Sequence, residues 1–439
     1  MNNVWLLCLW LVASVSASEL PLRVDNSQSD FFPPVVRQTF ESCAQQVGLY
    51  AMTSFALNRA RSTSAQRPDN QLAPRFAWNF LNQGKNRGSE LVEGWQLMQA
   101  MGCPSIADAT LAQNEWLNGY PKYLKAMQHR VRSFEFFEID SKEGVRQAKV
   151  LLHAASQSKR AQGGLLAIEG RLEGAAMITI PKESHEAGKN LVLGWGQDQG
   201  PGHLMTYVGY DDAVGHDVNG DGRLSNDLDI TGDGKVTVAD WERGAFLAVN
   251  SFGTEWGDQG KCYVMVREFA VTNFRRGRWA ATVRVWPQYH PQLTLKIAFK
   301  TSNRSGVHLS VGAKSCSELH TPLIFSHGMA AFALPETLPE SPEKYSGYLL
   351  GKSRLGNLPA RVKDGQSAAI EMGFDLSGQV PLQEYGYQLR LKTTTAEVDA
   401  AVLSASICHY LPNGRLIEER AFLDLPASIG PKPLTLFTP

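Results

Sequence analysis

Asn250-Ser251-Phe252-Gly253-Thr254-Glu255-Trp256-Gly257-Asp258-Gln259-Gly260 is the stretch that decides how this chain is read. It follows an apolar run, Ala245–Val249, with the texture of a short buried strand. Its glycines and aromatics describe a tight turn after that strand, with a carboxamide, Asn250, at the strand end. A second segment lies upstream: Gly202-His203-Leu204-Met205 enters the strand-like run Leu204–Tyr210, which closes on Val208-Gly209-Tyr210. A third, Gln38-Thr39-Phe40-Glu41-Ser42-Cys43-Ala44, heads a helix predicted over Cys43–Arg61, where Val47, Tyr50, Ala51 and Phe55 recur at helical spacing. A thiol, an imidazole and two carboxamides therefore sit at element ends, in the chain order Gln38, Cys43, His203, Asn250.

Taken singly, each has a bland reading. Cys43 is an inert buried thiol, His203 a hydrogen-bonded core histidine, Asn250 a turn cap and Gln38 a surface residue. Taken together they fit acyl transfer. A thiol attacks only as thiolate, and a helix N-terminus and a nearby imidazolium would both lower the pKa of Cys43. Asn250 would fix the tautomer of His203. Gln38 would donate its amide N–H, beside the Cys43 backbone N–H, to an oxyanion. Phe252 or Trp256 would shield the His–Asn bond from water.

These three segments resemble the papain-like cysteine peptidases, from about Phe32 to about Phe269. That family has a Gln before a Ser-Cys opening a long helix, a His entering a strand that ends Val-Gly-Tyr, and a downstream Asn-Ser-Trp-Gly-x-x-Trp-Gly. Leu72-Ala73-Pro74, Gly88-Ser89 and Gly163-Gly164-Leu165 are lesser echoes of it. The resemblance implies an α+β fold with a papain-like two-lobed peptidase domain. It also implies a Cys43-His203-Asn250 endopeptidase, with Gln38 at the oxyanion, acting on protein or peptide substrates. The chain departs from the family in Ala44 and Phe252, both usually Trp, and in a Gln38-to-Cys43 spacing of five residues rather than six. A transglutaminase-like amidase would use a similar Cys-His pair, but Asn250-Ser251-Phe252-Gly253 speaks against it. A binding or adhesion protein that keeps the residues without the turnover stays open.

Between His203 and Asn250 lies an insertion, about 215–243, with calcium-type spacing. Asp229, Thr231, Asp233, Lys235, Thr237 and Asp240 occupy positions 1, 3, 5, 7, 9 and 12 of a twelve-residue loop, with Gly234 at position 6. A hard cation wants six or more oxygens, including the backbone carbonyl at position 7. Asp217, Asn219, Asp221, Arg223 and Ser225 repeat the pattern, but position 12 is Leu228, so Asp227 or Asp229 would have to substitute. These loops resemble those of dockerin modules, without the paired-helix framework. We expect a structural Ca²⁺ here, in an insertion that loops out at one side of the cleft.

The remainder sets the context. Further helices are predicted over Ser89–Met101 and Glu143–Arg160, and a strand over Gly163–Ile168. Beyond Pro287–Pro291 the texture changes to period two: Leu293, Leu295, Ile297 and Phe299 alternate with polar or small residues, and Val307/Leu309/Val311 and Tyr387/Leu389/Leu391 repeat this. Residues 291–439 read as an all-β sandwich after a peptidase domain spanning 18–290. Its position suggests a carbohydrate or cell-surface ligand. Lys+Arg and Asp+Glu are both 43, so net charge is 0 and a nucleic-acid partner has no electrostatic case.

Residues 1–17 read as a secretory signal, with the apolar run Val4–Val12 too short to span a membrane. The expected location is extracellular or periplasmic. From Ser18 to Cys43 there is no room for the inhibitory propeptide usual in the family. Of six cysteines, Cys8 lies in the signal, leaving five, an odd number that fits one reactive thiol. Cys316–Cys408 and Cys103–Cys262 are the expected bridges, with all five free as the alternative. Asn303-Arg304-Ser305 fits a glycosylation acceptor.

Overall fold

The computed structural model describes residues 20–82, 86–112, 115–157, 163–197, 202–301, 307–314, 368–380, 382, 386–393 and 396–439. The segment 1–17, the Asn303 acceptor and Cys316 fall outside these. The described chain mixes α and β structure, with helices concentrated before residue 158.

The Cys43–Arg61 prediction holds for position and length, but the winding differs. An α-helical turn, α1 (Cys43–Gln45), passes into a π-helical stretch over Gln46–Thr53 and then into α2 (Ser54–Arg61). The cause is local. Gly48 C=O accepts from the Trp95 indole at 3.1 Å and from Thr53 Oγ at 2.6 Å, and Leu49 C=O accepts from Ser54 Oγ at 3.3 Å. These i−5 side-chain bonds favour the wider winding, and such stretches are frequent at functional sites. The Ser89–Met101 helix begins slightly later. In α4 (Leu91–Met101), reached after α3 (Pro74–Leu81), a capping box joins Glu90 and Glu93. After α5 (Tyr120–Ala126), the helix predicted over Glu143–Arg160 is α6 (Lys142–Gln157) within the described residues.

The main sheet runs β2 (Arg130–Glu138), β9 (Trp279–Trp286), β3 (Leu166–Gly170), β6 (His203–Gly215), β7 (Arg243–Val249), β8 (Lys261–Met265), β5 (Asn190–Gly194) and β4 (Ala176–Thr179), with β1 (Arg23–Asp25) on β6. β6 and β7 pair antiparallel, Thr206 opposite Val249 at one end and Gly215 opposite Arg243 at the other. That register places His203 and Asn250 side by side at one end of the hairpin. It places the insertion at the far end. The expectation that the insertion flanks the cleft is thereby corrected: a hairpin connection lies opposite the free ends of its strands.

Two smaller antiparallel sheets follow. One is β12 (Ala368–Asp375), β10 (Leu293–Thr301), β14 (Ala400–Tyr410) and β15 (Leu416–Ala421), with β16 (Ala427–Ile429) also on β14. The other is β11 (Val307–Ala313), β13 (Tyr387–Thr393) and β17 (Leu434–Phe437). The alternating apolar residues of β10, Leu293, Leu295, Ile297 and Phe299, are all buried, as period two requires. These sheets are tied to the first part of the chain. Arg130 of β2 pairs with Asp375 of β12 at 3.0 Å, both buried, and the Tyr120 hydroxyl meets Thr294 Oγ1 at 2.6 Å and the Tyr410 hydroxyl at 2.8 Å. Removing one partner of such a buried ion pair costs about 3–5 kcal/mol.

The expected Cys103–Cys262 bridge does not form, and Cys316–Cys408 involves a residue outside those described. Among the described residues, Cys43, Cys103, Cys262 and Cys408 are free thiols. Cys103 is fully buried and its sulfur contacts the Ala73 and Pro104 carbonyls at 3.5 Å, while Cys262 is buried within β8.

Candidate active site

Cys43 opens α1 with its N-cap, Ser42, held by its own side chain: Ser42 Oγ donates to Thr39 C=O at 2.8 Å, and Ser42 C=O accepts from Gln45 and Gln46. The loop before it is also pinned. Phe40 takes a left-handed backbone (φ 62°) and stacks on Trp78 at 5.1 Å, and the Trp78 indole donates to Glu41 C=O at 3.2 Å. A non-glycine residue at that φ is uncommon and is held here by its surroundings.

The thiol faces the start of β6. The backbone N–H of Leu204, the residue after His203, faces the Cys43 sulfur and works to lower its pKa. His203 Nε2 lies 2.7 Å from Asn250 Oδ1, which also accepts the Ser251 N–H at 2.7 Å. Asn250 is buried, and its Nδ2 has no protein partner. Because Nε2 is engaged, Nδ1 is the nitrogen left to face a proton donor. Phe252 lies over the imidazole, ring centroids 4.5 Å apart, and Trp256 meets Phe252 edge-on at 6.1 Å. Phe252 is thus the direct cover, and Trp256 its buttress. His203 and Asn250 are bonded to each other, and Cys43 lies against the start of the strand that His203 opens.

Gln38 is brought to the same end by a different route. Its backbone N–H donates to Ser251 C=O at 2.7 Å, and its Oε1 accepts from Ser251 Oγ at 2.5 Å. Its Nε2 donates to Phe40 C=O at 3.0 Å. One of its two amide hydrogens is therefore spent inside the loop, leaving one for a substrate oxygen.

The electrostatics differ from the sequence expectation. Burial pushes the Cys43 thiol up from its ordinary value; the Leu204 N–H works against this, and the Glu169 carboxylate reinforces it. Burial pulls His203 down, against the bond from Asn250. Desolvation penalises both charged forms. A helix N-terminus was expected to lower the thiol pKa, but burial and a neighbouring carboxylate outweigh it.

At the far end of β6 and β7 the insertion folds into two matching loops. In the first, Asp217 accepts the N–H groups of Gly220, Asp221 and Gly222 at 2.7, 3.2 and 2.8 Å. In the second, Asp229 accepts those of Gly232, Asp233 and Gly234 at 2.7, 3.2 and 2.8 Å. Asp221 and Asp233 accept the N–H groups of Arg223 and Lys235. Gly222 and Gly234 turn with φ of 81° and 84°, open to any residue only at strain. Asp240 closes the second loop. Position 12 of the first loop is taken neither by Asp227, whose carboxylate is engaged by Ser225 Oγ, nor by Asp229, which opens the second loop. It is taken by buried Glu242, which accepts the Val218, Asn219 and Ser225 N–H groups at 2.7, 3.2 and 3.0 Å. Spacing within a twelve-residue window could not find it, since Glu242 lies beyond the second loop. Its signal is a carboxylate two residues past Asp240.

No family model matches the sequence, and no curated protein matches it. Among solved structures, the chain is similar to the Amb a 11 cysteine protease of ragweed pollen in its proform, at 14% identity, covering 62% of this chain and 67% of that one, with a TM-score of 0.38. It is similar to xylellain, a cysteine protease from Xylella fastidiosa, at 12% identity, 61% and 87% coverage and a TM-score of 0.39. Digestive procathepsin L 3 of Tenebrio molitor larval midgut gives 12% identity, 62% and 72% coverage and a TM-score of 0.37. These solved structures are cysteine proteases; at such scores the likeness carries no conclusion about this chain's chemistry.

Proposed function

We propose that this protein is a secreted cysteine endopeptidase of papain-like, two-lobed build, carrying a C-terminal β-sandwich. The observation that supports it most is the 2.7 Å bond between His203 Nε2 and Asn250 Oδ1, at the strand end whose next residue, Leu204, turns its N–H toward Cys43. In this reading His203 takes the thiol proton as Cys43 attacks the peptide carbonyl. The Cys43 backbone N–H and the remaining Gln38 amide hydrogen receive the oxyanion. His203 returns the proton to the departing amine, leaving a thioester. A water, deprotonated by His203, then cleaves it.

The reading includes a structural Ca²⁺ in each insertion loop. The donors fit a hard cation because they are oxygens: Asp217, Asn219, Asp221, the Arg223 carbonyl and Glu242 in one, and Asp229, Thr231, Asp233, the Lys235 carbonyl and Asp240 in the other. Secretion, which rests on the 1–17 segment, fits a calcium-rich setting. For the C-terminal sheets we keep a carbohydrate or cell-surface ligand.

Hydrolysis of a quenched peptide library tests the activity. Cys43→Ala abolishes turnover, and Asn250→Ala lowers kcat by about 10²-fold, the scale of a positioned general base. Unchanged turnover in Cys43→Ala removes the proposal.

A further inference from the structure

Resting on the peptidase reading, we infer that the depression beside the thiol selects a substrate side chain with an apolar stem and a cationic head, through Glu169. The depression is open to solvent and is lined by Leu91, Leu204 and Trp279, with Glu90, Glu169 and Arg276 among its polar residues. It adjoins the nucleophile. Leu204 contributes to its wall while its N–H faces Cys43, and Glu169 stands opposite Leu204 across the β3–β6 ladder.

The charges do not balance. Arg276 Nη1 lies 3.3 Å from Glu90 Oε2 and 3.3 Å from Glu169 Oε2, and its Nη2 lies 3.4 Å from Glu90 Oε1. One guanidinium is shared, at long distances, between two carboxylates. Glu90 has a second set of bonds, since it caps α4 through the Glu93 backbone N–H. Glu169 is the less exposed of the two carboxylates. Burial pushes its carboxyl up, with Arg276 opposing and Glu90 reinforcing. Arg171 also acts on it, weakly, from outside the depression. An incoming guanidinium or ammonium would complete the second carboxylate and let Arg276 settle on Glu90. An acidic side chain would meet two carboxylates against one cation, and a like-charge juxtaposition penalises it. Leu91, Leu204 and Trp279 would cover the methylene stem.

The test reads binding separately from turnover. N-acyl tripeptide amides bearing Arg, norleucine or Glu at each position are titrated against Cys43→Ala protein by fluorescence anisotropy at low salt. At one position Arg binds about tenfold tighter than norleucine, and Glu weakest. Glu169→Gln in that background brings Arg and norleucine within about twofold, and Arg276→Gln widens the Arg preference. Equal binding of Arg and norleucine, no binding of any peptide, or a preference that survives Glu169→Gln overturns the inference. Wild-type hydrolysis of the same set separates the two claims. Selective binding without cleavage keeps the pocket and rejects the peptidase; cleavage indifferent to Arg does the reverse.

Discussion

Asp240 and Glu242 stand two residues apart and close two different loops. Asp240 accepts the N–H groups of Ile230, Thr231 and Thr237 at 3.0, 2.8 and 2.8 Å, which are positions 2, 3 and 9 of the second loop. Glu242 accepts those of Val218, Asn219 and Ser225, positions 2, 3 and 9 of the first. The longer Glu side chain reaches the loop that lacks its own terminal carboxylate.

Glu242→Gln therefore lowers the calcium stoichiometry from two to one, read by titration calorimetry, and Asp240→Asn does the same through the other loop. Trp241, between the two carboxylates, serves as an emission reporter. Two ions bound with full affinity by Glu242→Gln would place the first loop's twelfth ligand elsewhere.

Chelation acts on stability and leaves the chemistry alone. The insertion joins β6 and β7 at the end opposite His203 and Asn250. At 100-fold excess over Kd, each bound ion stabilises by about 2.7 kcal/mol. Excess chelator lowers Tm by several degrees, while kcat/KM measured well below the transition holds steady. A loss of kcat/KM with an unmoved Tm contradicts this.

Much of the candidate site was legible because its signals are local. A His entering a strand and an Asn leaving one can be read from the residues beside them. What escaped depends on pairing across the chain. The π-helical winding of Gln46–Thr53 needs the Trp95 indole, which comes from another helix. The place of the insertion needs the β6–β7 register. The upward shift of Cys43 comes from burial by packed neighbours, with Glu169 of β3 reinforcing it, and Glu242 lies outside the window that a loop motif spans. The Cys103–Cys262 pairing failed for a related reason: parity counts thiols without locating them.

Buried carboxyls contribute stability that is lost as pH rises from about 4.5 to 7, against an opposite contribution from His129, which burial pulls down to about 4. Glu268, which accepts the Trp195 N–H at 2.9 Å, is pushed up to about 7 by burial, and Glu93 likewise to about 7. For an acid raised in the fold, the native state holds the extra proton. The contribution is whole below the unfolded pKa and is lost as pH climbs through the folded one. Glu268→Gln flattens this slope, on the order of 1–3 kcal/mol between pH 4.5 and 7, in urea unfolding. An unchanged pH slope in Glu268→Gln contradicts the assignment.

The central claim is that Cys43 and His203 act as one unit. Labelling with a thiol-directed peptide epoxide, located by mass spectrometry in wild type, Cys43→Ala and His203→Ala, tests it most directly. The account predicts a single adduct on Cys43 in wild type and none in Cys43→Ala. In His203→Ala the rate falls by about 10²-fold. Equal labelling of all three proteins, or an adduct on another cysteine, would contradict it.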